Sequence, residues 1–420
     1  MSKGLRDSES AARKPRLAVV SPFLDKAHGS ERVVIEWLTH LPDEFEIHIY
    51  SQRVEDLNLS NATWHRIPKL PGPHLLNFIW WFGANHLWRM FDRQFRGLRY
   101  DLVFSPGANC LDADIVSVHI LFSEYVREVR EKLRLARSAP WSWPRVLHRK
   151  LYYSLAVILE RRVYRNPQTR LIAISRAAAS LLERLYGRDG CPILYAGIDR
   201  ATFNAERRAT LREISRDQLE LSQDQFALFL VGNDWRNKGV PVLLEALEQL
   251  RELPIRLFVV SREDRSACWD LVKEKRLDDR VRFLAPRKDV EFYYAAADAY
   301  AGPSLQDSYA MPPAEAMACG LPVIVSAAAG VSEIITDGAD GLILYHPKDA
   351  MALAAMIRRL YEDEAFRARL GERAAATTRK YTWERNGQEL AVIFEDVLRR
   401  KAPSAVGGKV MKARGVSRRS

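Results

Sequence analysis

The segment 307–324 reads DSYAMPPAEAMACGLPVI and places two carboxylates around the start of a helix. It begins with Asp307, passes a proline pair and reaches Glu315, after which come small residues and a Cys-Gly-Leu-Pro turn. The β-branched run PVIVSA that follows is typical of a parallel strand buried on both faces. Carboxylates accept hydrogen bonds from vicinal hydroxyls, and a helix N-terminus suits an anion.

Short β-branched runs alternate with helical stretches on both sides of this segment. Each series predicts strand–helix units around a parallel sheet, and the charged helix AERRATLREISRDQLELSQ separates the two series between about 196 and 225. The first series is RLAVVSP, FEIHIYS, YDLVFSPG, DIVSVH, TRLIAIS and CPILYAGID. The second is FALFLVG, IRLFVVS, VRFLAP, DAYAGPS, PVIVSA and GLILYHP.

The fold class that this pattern predicts is α/β, with two tandem Rossmann-like domains facing a cleft. Ligands bind such sheets at the carboxyl ends of the strands, so one cleft would serve both domains. A chain of 420 residues is too long for one ordinary core. The four cysteines form no C-x-x-C pair, which argues against a disulfide framework or a zinc site.

The net charge of +11 is concentrated in a few stretches. Basic residues dominate residues 1–15 and 401–420, and we expect both to be disordered tails. Residues 127–170 hold twelve Lys/Arg against three acids, which indicates either an anionic partner or a solvated helix surface. Residues 17–400 as a whole have little net charge and no recognition motif, so nucleic acid is a poor partner.

The segment 307–323 resembles the E-x7-E signature of the retaining glycosyltransferases of family four, written E-G-F-G-L-P-x-L-E-A-M-A-x-G-x-P-V. The resemblance covers roughly residues 16–400 and rests on the order and spacing of several segments. These include VGNDWRNKG, LYAGIDRATF, FYYAAADAYAGPS, AGVSEIITDGADGLIL and YTWERNGQELAVIFEDVL.

The resemblance implies two domains with different roles. Residues 16–197 would form an acceptor domain, to which a helix over 382–400 returns, and residues 198–381 would form the nucleotide-sugar domain. In this family the first acid faces the donor sugar and the second binds the ribose, roles that map to Asp307 and Glu315. The backbone N–H groups of Ala310 and Met311 would face a phosphate. An N-capping Asp and a surface Glu are the structural alternative.

The loop VGNDWRNKG implies a diphosphate site. Gly232 permits a tight turn, and Lys238 matches the family lysine, whereas Asn233 replaces the usual arginine. Arg236 would supply the missing cation or remain a solvated loop residue. Two cations can stabilise a leaving diphosphate without a metal, so we expect no metal and no cofactor.

Further donor contacts are expected from three other segments. In DKAHGSER, Gly29 and Ser30 can bring backbone N–H groups to a phosphate, and Arg32 is either an acceptor contact or structural. The resemblance implies that His119 contacts the donor sugar and that Glu333 lies behind the donor site. The alternative for Glu333 is an acid that satisfies a helix dipole.

Residues 112–114 spell D-x-D, the metal motif of another glycosyltransferase fold. We reject a metal role because the pair opens a strand, and because the family that this sequence resembles works without metal.

The stretch 75–91 is apolar and aromatic but is shorter than the roughly 20 residues needed to span a bilayer. It is either an interfacial, acceptor-lining helix or a buried helix of the N-terminal domain. With the basic stretch 127–170, the first alternative favours a lipid-linked or envelope-glycan acceptor at an anionic membrane.

The sequence therefore predicts a metal-independent retaining hexosyltransferase with a nucleotide sugar as donor, UDP-glucose being favoured. A GDP-mannose-dependent mannosyltransferase and a non-catalytic nucleotide-sugar-binding partner are the alternatives. The N-terminus has no apolar signal core, so we expect a cytoplasmic protein on the inner face of the cell membrane.

Overall fold

A computed structural model describes residues 13–26, 28–57, 60, 62–129 and 143–401. The predicted basic tails therefore lie mostly outside the described residues, as does the centre of the basic stretch 127–170.

The N-terminal domain contains eight strands and five helices within these residues. The strands are β1 (Arg16–Val20), β2 (Phe23–Leu24), β3 (Glu46–Ser51), β4 (Arg53–Val54), β5 (Ala62–Arg66), β6 (Leu102–Pro106), β7 (Ile115–Val118) and β8 (Arg170–Ala173). The helices are α1 (Gly29–Thr39), α2 (His74–Phe95), α3 (Phe122–Val129), α4 (Trp143–Tyr164) and α5 (Arg176–Tyr186).

The C-terminal domain and the final helix follow. The helices are α6 (Ala205–Gln218), α7 (Val240–Glu248), α8 (Ser266–Glu274), α9 (Glu291–Ala296), α10 (Met311–Ala318), α11 (Ala350–Glu362), α12 (Glu364–Thr378) and α13 (Trp383–Lys401). The strands are β9 (Phe226–Val231), β10 (Ile255–Val260), β11 (Val281–Leu284), β12 (Ala299–Gly302), β13 (Val323–Ser326) and β14 (Leu342–Leu344).

Each domain is built on a six-stranded parallel sheet. The strand orders are β5-β3-β1-β6-β7-β8 and β11-β10-β9-β12-β13-β14. In each sheet the chain adds strands first on one side of the central strand, β1 or β9, and then on its other side. The crevice at this switch point is the usual ligand position in doubly wound sheets. The prediction of two tandem Rossmann-like domains is confirmed.

Helix α13 joins the two domains by packing against the N-terminal sheet, as predicted. The ring of Phe394 is fully buried and lies 5.6 Å from the rings of both Phe45 and Phe104. Burying a phenylalanine of this kind contributes about 1.5–3 kcal/mol. Gly387 is required at the crossing, because a Cβ there would lie 1.9 Å from the carbonyl oxygen of His40.

Two details differ from the sequence prediction. The segment CPILYAGID forms no strand, because Ile193 makes only an isolated bridge to Ala173 and Ile198 makes one to Thr382, the residue before α13. The edge strand β5 was not predicted, and its sequence ATWHR alternates exposed and buried positions only weakly. At the ends of the described chain, Arg13 pairs with Asp101 and Lys401 closes α13.

Candidate functional site

Four segments carry most of the predicted site residues, and each follows the carboxyl end of a parallel strand. They are the loop from β1 into α1, the loop after β7 that carries His119, the loop from β9 into α7, and the loop from β12 into α10. The last two leave the centre of the C-terminal sheet on either side of its switch point. The site residues predicted from the sequence lie in these four loops or in the helices that follow them, and only Glu333 lies elsewhere.

The predicted diphosphate lysine and the first acid of the signature form an ion pair. The ammonium of Lys238 contacts the Oδ2 atom of Asp307, and the side chains are 19% and 15% exposed. Gly232 makes room for this contact, because a Cβ there would lie 2.9 Å from Cε of Lys238. The second oxygen of Asp307 accepts a hydrogen bond from the Tyr309 N–H at 3.2 Å. The positive charge of Lys238 is thus paired with the carboxylate of Asp307.

The start of α10 is strained where a ligand would approach. Ala310 has a φ of +70°, in the left-handed region that disfavours a Cβ, and the family signature has glycine at this position. Pro312 and Pro313 carry no N–H, so Ala310 and Met311 supply the N–H groups of this turn. Neither N–H donates to another loop or cap in the part of the chain that the structure describes. The binding of a phosphate by these two N–H groups stays a prediction.

Glu315 lies buried at the domain boundary and contacts the opposite domain. Its Oε1 atom lies 2.8 Å from Nη1 of Arg32 on α1, and its Oε2 atom accepts a hydrogen bond from the Tyr294 hydroxyl at 3.0 Å. The negative charge of Glu315 is the largest cause of the raised pKa of Arg32. Glu315, the residue predicted to bind the ribose, therefore forms an ion pair with Arg32. From the sequence, Arg32 was expected to be either an acceptor contact or a structural residue. Tyr294 was missed, although it lies in the quoted segment FYYAAADAYAGPS.

The start of α1 faces the start of α10. A Cβ built on Gly29 would lie 3.9 Å from Cε of Met311, so the two helix N-termini approach each other across the cleft. Ser30 and Glu31 form the first turn of α1, and burial raises the pKa of the Glu31 carboxyl. Glu31 was missed by sequence reasoning; its place directly after Gly29-Ser30 was the available signal.

His119 lies at the carboxyl end of β7, as predicted, and is 7% exposed. Its Nε2 atom lies 3.1 Å from Oγ of Ser117, and its ring packs against Trp37. Burial lowers the pKa of His119 to about 4, so the imidazole is neutral at physiological pH. A neutral ring can donate one hydrogen bond to a sugar hydroxyl without adding charge.

Glu333 connects the two domains. Its carboxylate accepts hydrogen bonds from the backbone N–H groups of Arg176 at 2.6 Å and Ala177 at 2.8 Å, and from the Tyr195 hydroxyl at 3.0 Å. It therefore caps the N-terminus of α5 in the other domain, where the helix dipole favours a negative charge. The structure places Glu333 at this contact, and its contact with the donor stays a prediction.

Arg236 and Asn233 occupy different positions from Lys238. The guanidinium of Arg236 lies 4.9 Å from the centroid of the Trp235 ring, and its role as a second diphosphate cation stays a prediction. The side-chain oxygen of Asn233 accepts a hydrogen bond from the Arg262 N–H at 3.0 Å, so Asn233 holds the neighbouring loop.

The D-x-D pair serves structural contacts. Asp112 pairs with Arg89 on α2 at 2.6 Å, and Asp114 pairs with Lys401 at 2.8 Å. Within the described ranges no group of three or more His, Cys, Asp or Glu side chains is arranged to hold a metal ion.

Comparisons with known proteins agree with this architecture. The family model described as Glycosyltransferase Family 4 matches residues 27–202, and the model described as Glycosyl transferases group 1 matches residues 212–377. A D-inositol 3-phosphate glycosyltransferase of Xylanimonas cellulosilytica is 32% identical over 244 residues, which are 55% of this chain and 58% of that protein. The chain thus spans little more than half the length of this relative.

Two solved structures share the fold. WaaG, a glycosyltransferase involved in lipopolysaccharide biosynthesis, has a TM-score of 0.73 at 21% identity, over 90% of this chain and 99% of its own. HepE of Anabaena in complex with UDP-glucose has a TM-score of 0.67 at 19% identity, over 91% and 99%. The two family models match one domain each, and the chain belongs to the glycosyltransferases of the family-four type with the B fold.

Proposed function

We propose that the protein is a metal-independent, retaining hexosyltransferase that moves a sugar from a nucleoside diphosphate to a lipid-linked or cell-envelope glycan. The observation that carries this proposal is the cluster formed by Lys238, Asp307 and Glu315 at the switch point of the C-terminal sheet. One cation and two carboxylates suit the three parts of a nucleotide sugar. The family membership supplies the reaction class.

Each part of the site has one task in this proposal. The ribose hydroxyls bind Glu315, and the diphosphate binds Lys238 and the N–H groups at the start of α10. As the glycosidic bond breaks, negative charge grows on the diphosphate, where these groups stabilise it. Positive character grows on the sugar carbon, where the Asp307 carboxylate is favourable. No protein nucleophile is needed if the acceptor attacks from the face that the diphosphate leaves.

The donor is proposed to be a UDP-sugar, with UDP-glucose first. The structural likeness to HepE, whose complex holds UDP-glucose, motivates this order. GDP-mannose is the competing donor. A binding partner without transfer activity is the competing class, since Asp307 and Asn233 replace the family's usual Glu and Arg.

A donor screen tests the proposal. The purified protein would be mixed with UDP-glucose, other UDP-hexoses or GDP-mannose, with and without a membrane extract, and free nucleoside diphosphate would be measured. We expect extract-dependent release of UDP, and none from a Lys238→Ala variant. Binding without release from any donor would favour the non-catalytic alternative.

The proposed acceptor side is a membrane surface, because two helices of the N-terminal domain expose apolar faces. On α2 the residues opposite the buried face are at least 50% exposed: Leu76, Ile79, Leu87, Met90 and Phe91. On α4 the exposed apolar residues are Leu147, Leu151 and Ile158. Arg161 and Arg162 of α4, and Arg165 directly after it, lie beside Ile158, and such a combination suits an anionic bilayer surface.

These faces support the interfacial alternative for residues 75–91. Helix α2 is amphipathic, with Trp81 and Ala84 in the core and its opposite face exposed. In the part of the chain that the structure describes, no helix has the length and hydropathy needed to cross a bilayer. Attachment would therefore be peripheral, on the inner face of the cell membrane.

Liposome flotation tests the membrane contact. We expect the protein to float with vesicles that contain phosphatidylglycerol and to be released by high salt. A Leu87→Glu/Met90→Glu variant should lose binding, whereas Met351→Glu, a change at an exposed apolar residue of α11, should not. Equal flotation of all three proteins would contradict the assignment of this face.

A further inference from the structure

A basic pocket lies between the start of α2 and the start of α4, away from the Lys238 site. It has a volume of about 470 Å³ and is lined by Pro73, Pro144, Arg145, His148 and Arg149. Among the described residues no carboxylate forms an ion pair with these three basic side chains. Clustered cations without anions repel one another, so such a cluster is stabilised when an anion binds.

Two more basic side chains stand beside this pocket. His74, the first residue of α2, is close enough to His148 and Lys69 for both to act on it electrostatically. Burial is the largest cause of the lowered pKa of His74, and the positive charges of His148 and Lys69 lower it further. The pocket therefore gathers histidine, lysine and arginine side chains from α2, from the loop before it and from α4.

A row of aromatic rings leads from this pocket toward the cleft. The ring of Tyr152 lies 4.6 Å from that of His74 and 5.3 Å from that of Tyr153, and Tyr153 lies 5.5 Å from Tyr125. Tyr125 is near enough to both Arg149 and Asp234 for their charges to act on its hydroxyl. Asp234 belongs to the loop between β9 and α7, which also carries Lys238.

We propose that the pocket formed by Arg145, His148 and Arg149 binds a phosphate group of the acceptor. The acceptor is then a phosphorylated glycan or glycolipid that lies along the aromatic row, with its phosphate on α4 and its accepting hydroxyl in the cleft. Guanidinium groups bind phosphate oxygens in a bidentate manner, and aromatic walls with few polar groups are typical of ligand sites. This inference rests on the proposed function and names the substrate class of that same cleft.

Histidine NMR tests the pocket directly, with inorganic phosphate as the probe. Full-length protein with labelled histidines would be titrated with phosphate while saturating UDP occupies the donor site. We expect the pKa of His74 to rise saturably and the ring signals of His148 to shift with it, because a bound anion offsets the surrounding positive charge. Arg149→Gln and Arg145→Gln should each weaken the response at least tenfold, whereas Arg162→Gln, on the same helix but outside the pocket, should not change it.

Three results would overturn the proposal. They are the absence of a saturable response, equal responses in Arg149→Gln and Arg162→Gln, and a response to phosphatidylglycerol vesicles but not to inorganic phosphate. The last would identify a lipid headgroup as the ligand. Calorimetry of UDP with the wild-type protein in the same buffer checks the donor site separately. UDP binding without a phosphate response therefore overturns this inference and leaves the proposed function standing.

Discussion

Replacing Asp307 by Asn should have opposite effects on nucleotide affinity and on turnover. Lys238 forms an ion pair with Asp307, and both side chains are mostly buried. A charge-assisted hydrogen bond of this kind contributes about 1.5–3 kcal/mol, and part of it must be given up when Lys238 turns to a diphosphate. Asp307→Asn removes this competition, so we expect UDP to bind about five- to tenfold more tightly.

The same change removes a negative charge next to the sugar carbon, which becomes positive in the transition state. With saturating acceptor, kcat should therefore fall at least tenfold, which corresponds to about 1.4 kcal/mol. Calorimetry with UDP and initial rates of donor turnover measure the two effects independently.

Asp307→Glu is the matched control, because it restores the family residue and keeps the charge. It should retain activity or raise it. If Asp307→Asn is kinetically silent while Glu315→Gln is not, Asp307 only holds the turn before α10, and the reasoning is refuted. Weaker UDP binding in Asp307→Asn would show that Lys238 is not the released cation.

Three further changes test the remaining parts of the site. Lys238→Ala should weaken UDP binding by about 2–3 kcal/mol in calorimetry, and Asn233→Ala much less, because only the lysine brings a full charge. Arg32→Gln should tighten UDP binding about threefold to tenfold by freeing Glu315 for the ribose, and weaker binding would mean that Arg32 itself contacts the nucleotide. The pKa of His119 is about 4 in the folded protein and 6.5 ordinarily, so the unfolded chain gains its proton first as the pH falls. His119 should therefore lower the free energy of unfolding by up to about 3 kcal/mol as the pH falls from 6.5 to 4. Denaturant unfolding of the His119→Gln variant should not show this decrease.

The two-domain architecture could be predicted because its central strands are buried on both faces. FALFLV and VIVS show the near-continuous apolar pattern that parallel sheets require. The edge strand β5 could not be predicted, because an edge position imposes no such pattern on ATWHR. CPILYAGID has the right composition for a strand, but its neighbours in space, not its own residues, decide that it forms only isolated bridges, at Ile193 and at Ile198.

The sequence could predict which segments form the candidate site, but it could not predict which side chains contact one another there. The positions of Gly232, Lys238 and Glu315 after strands of a doubly wound sheet follow from the sequence order. The pairing of Glu315 with Arg32 joins residues from different domains, and the capping of α5 by Glu333 does the same. Such contacts depend on how the two domains approach each other, which no local pattern encodes.

The central claim is that a nucleotide sugar binds with its ribose on Glu315 and is turned over in this cleft. Steady-state kinetics of UDP-glucose turnover, compared between the wild-type protein and Glu315→Gln, tests it most directly. The ribose contact exists before and during transfer, so the variant should raise the donor KM roughly tenfold or more and change kcat little. An unchanged donor KM in Glu315→Gln, or no turnover of any nucleotide sugar by the wild-type protein, would contradict the account.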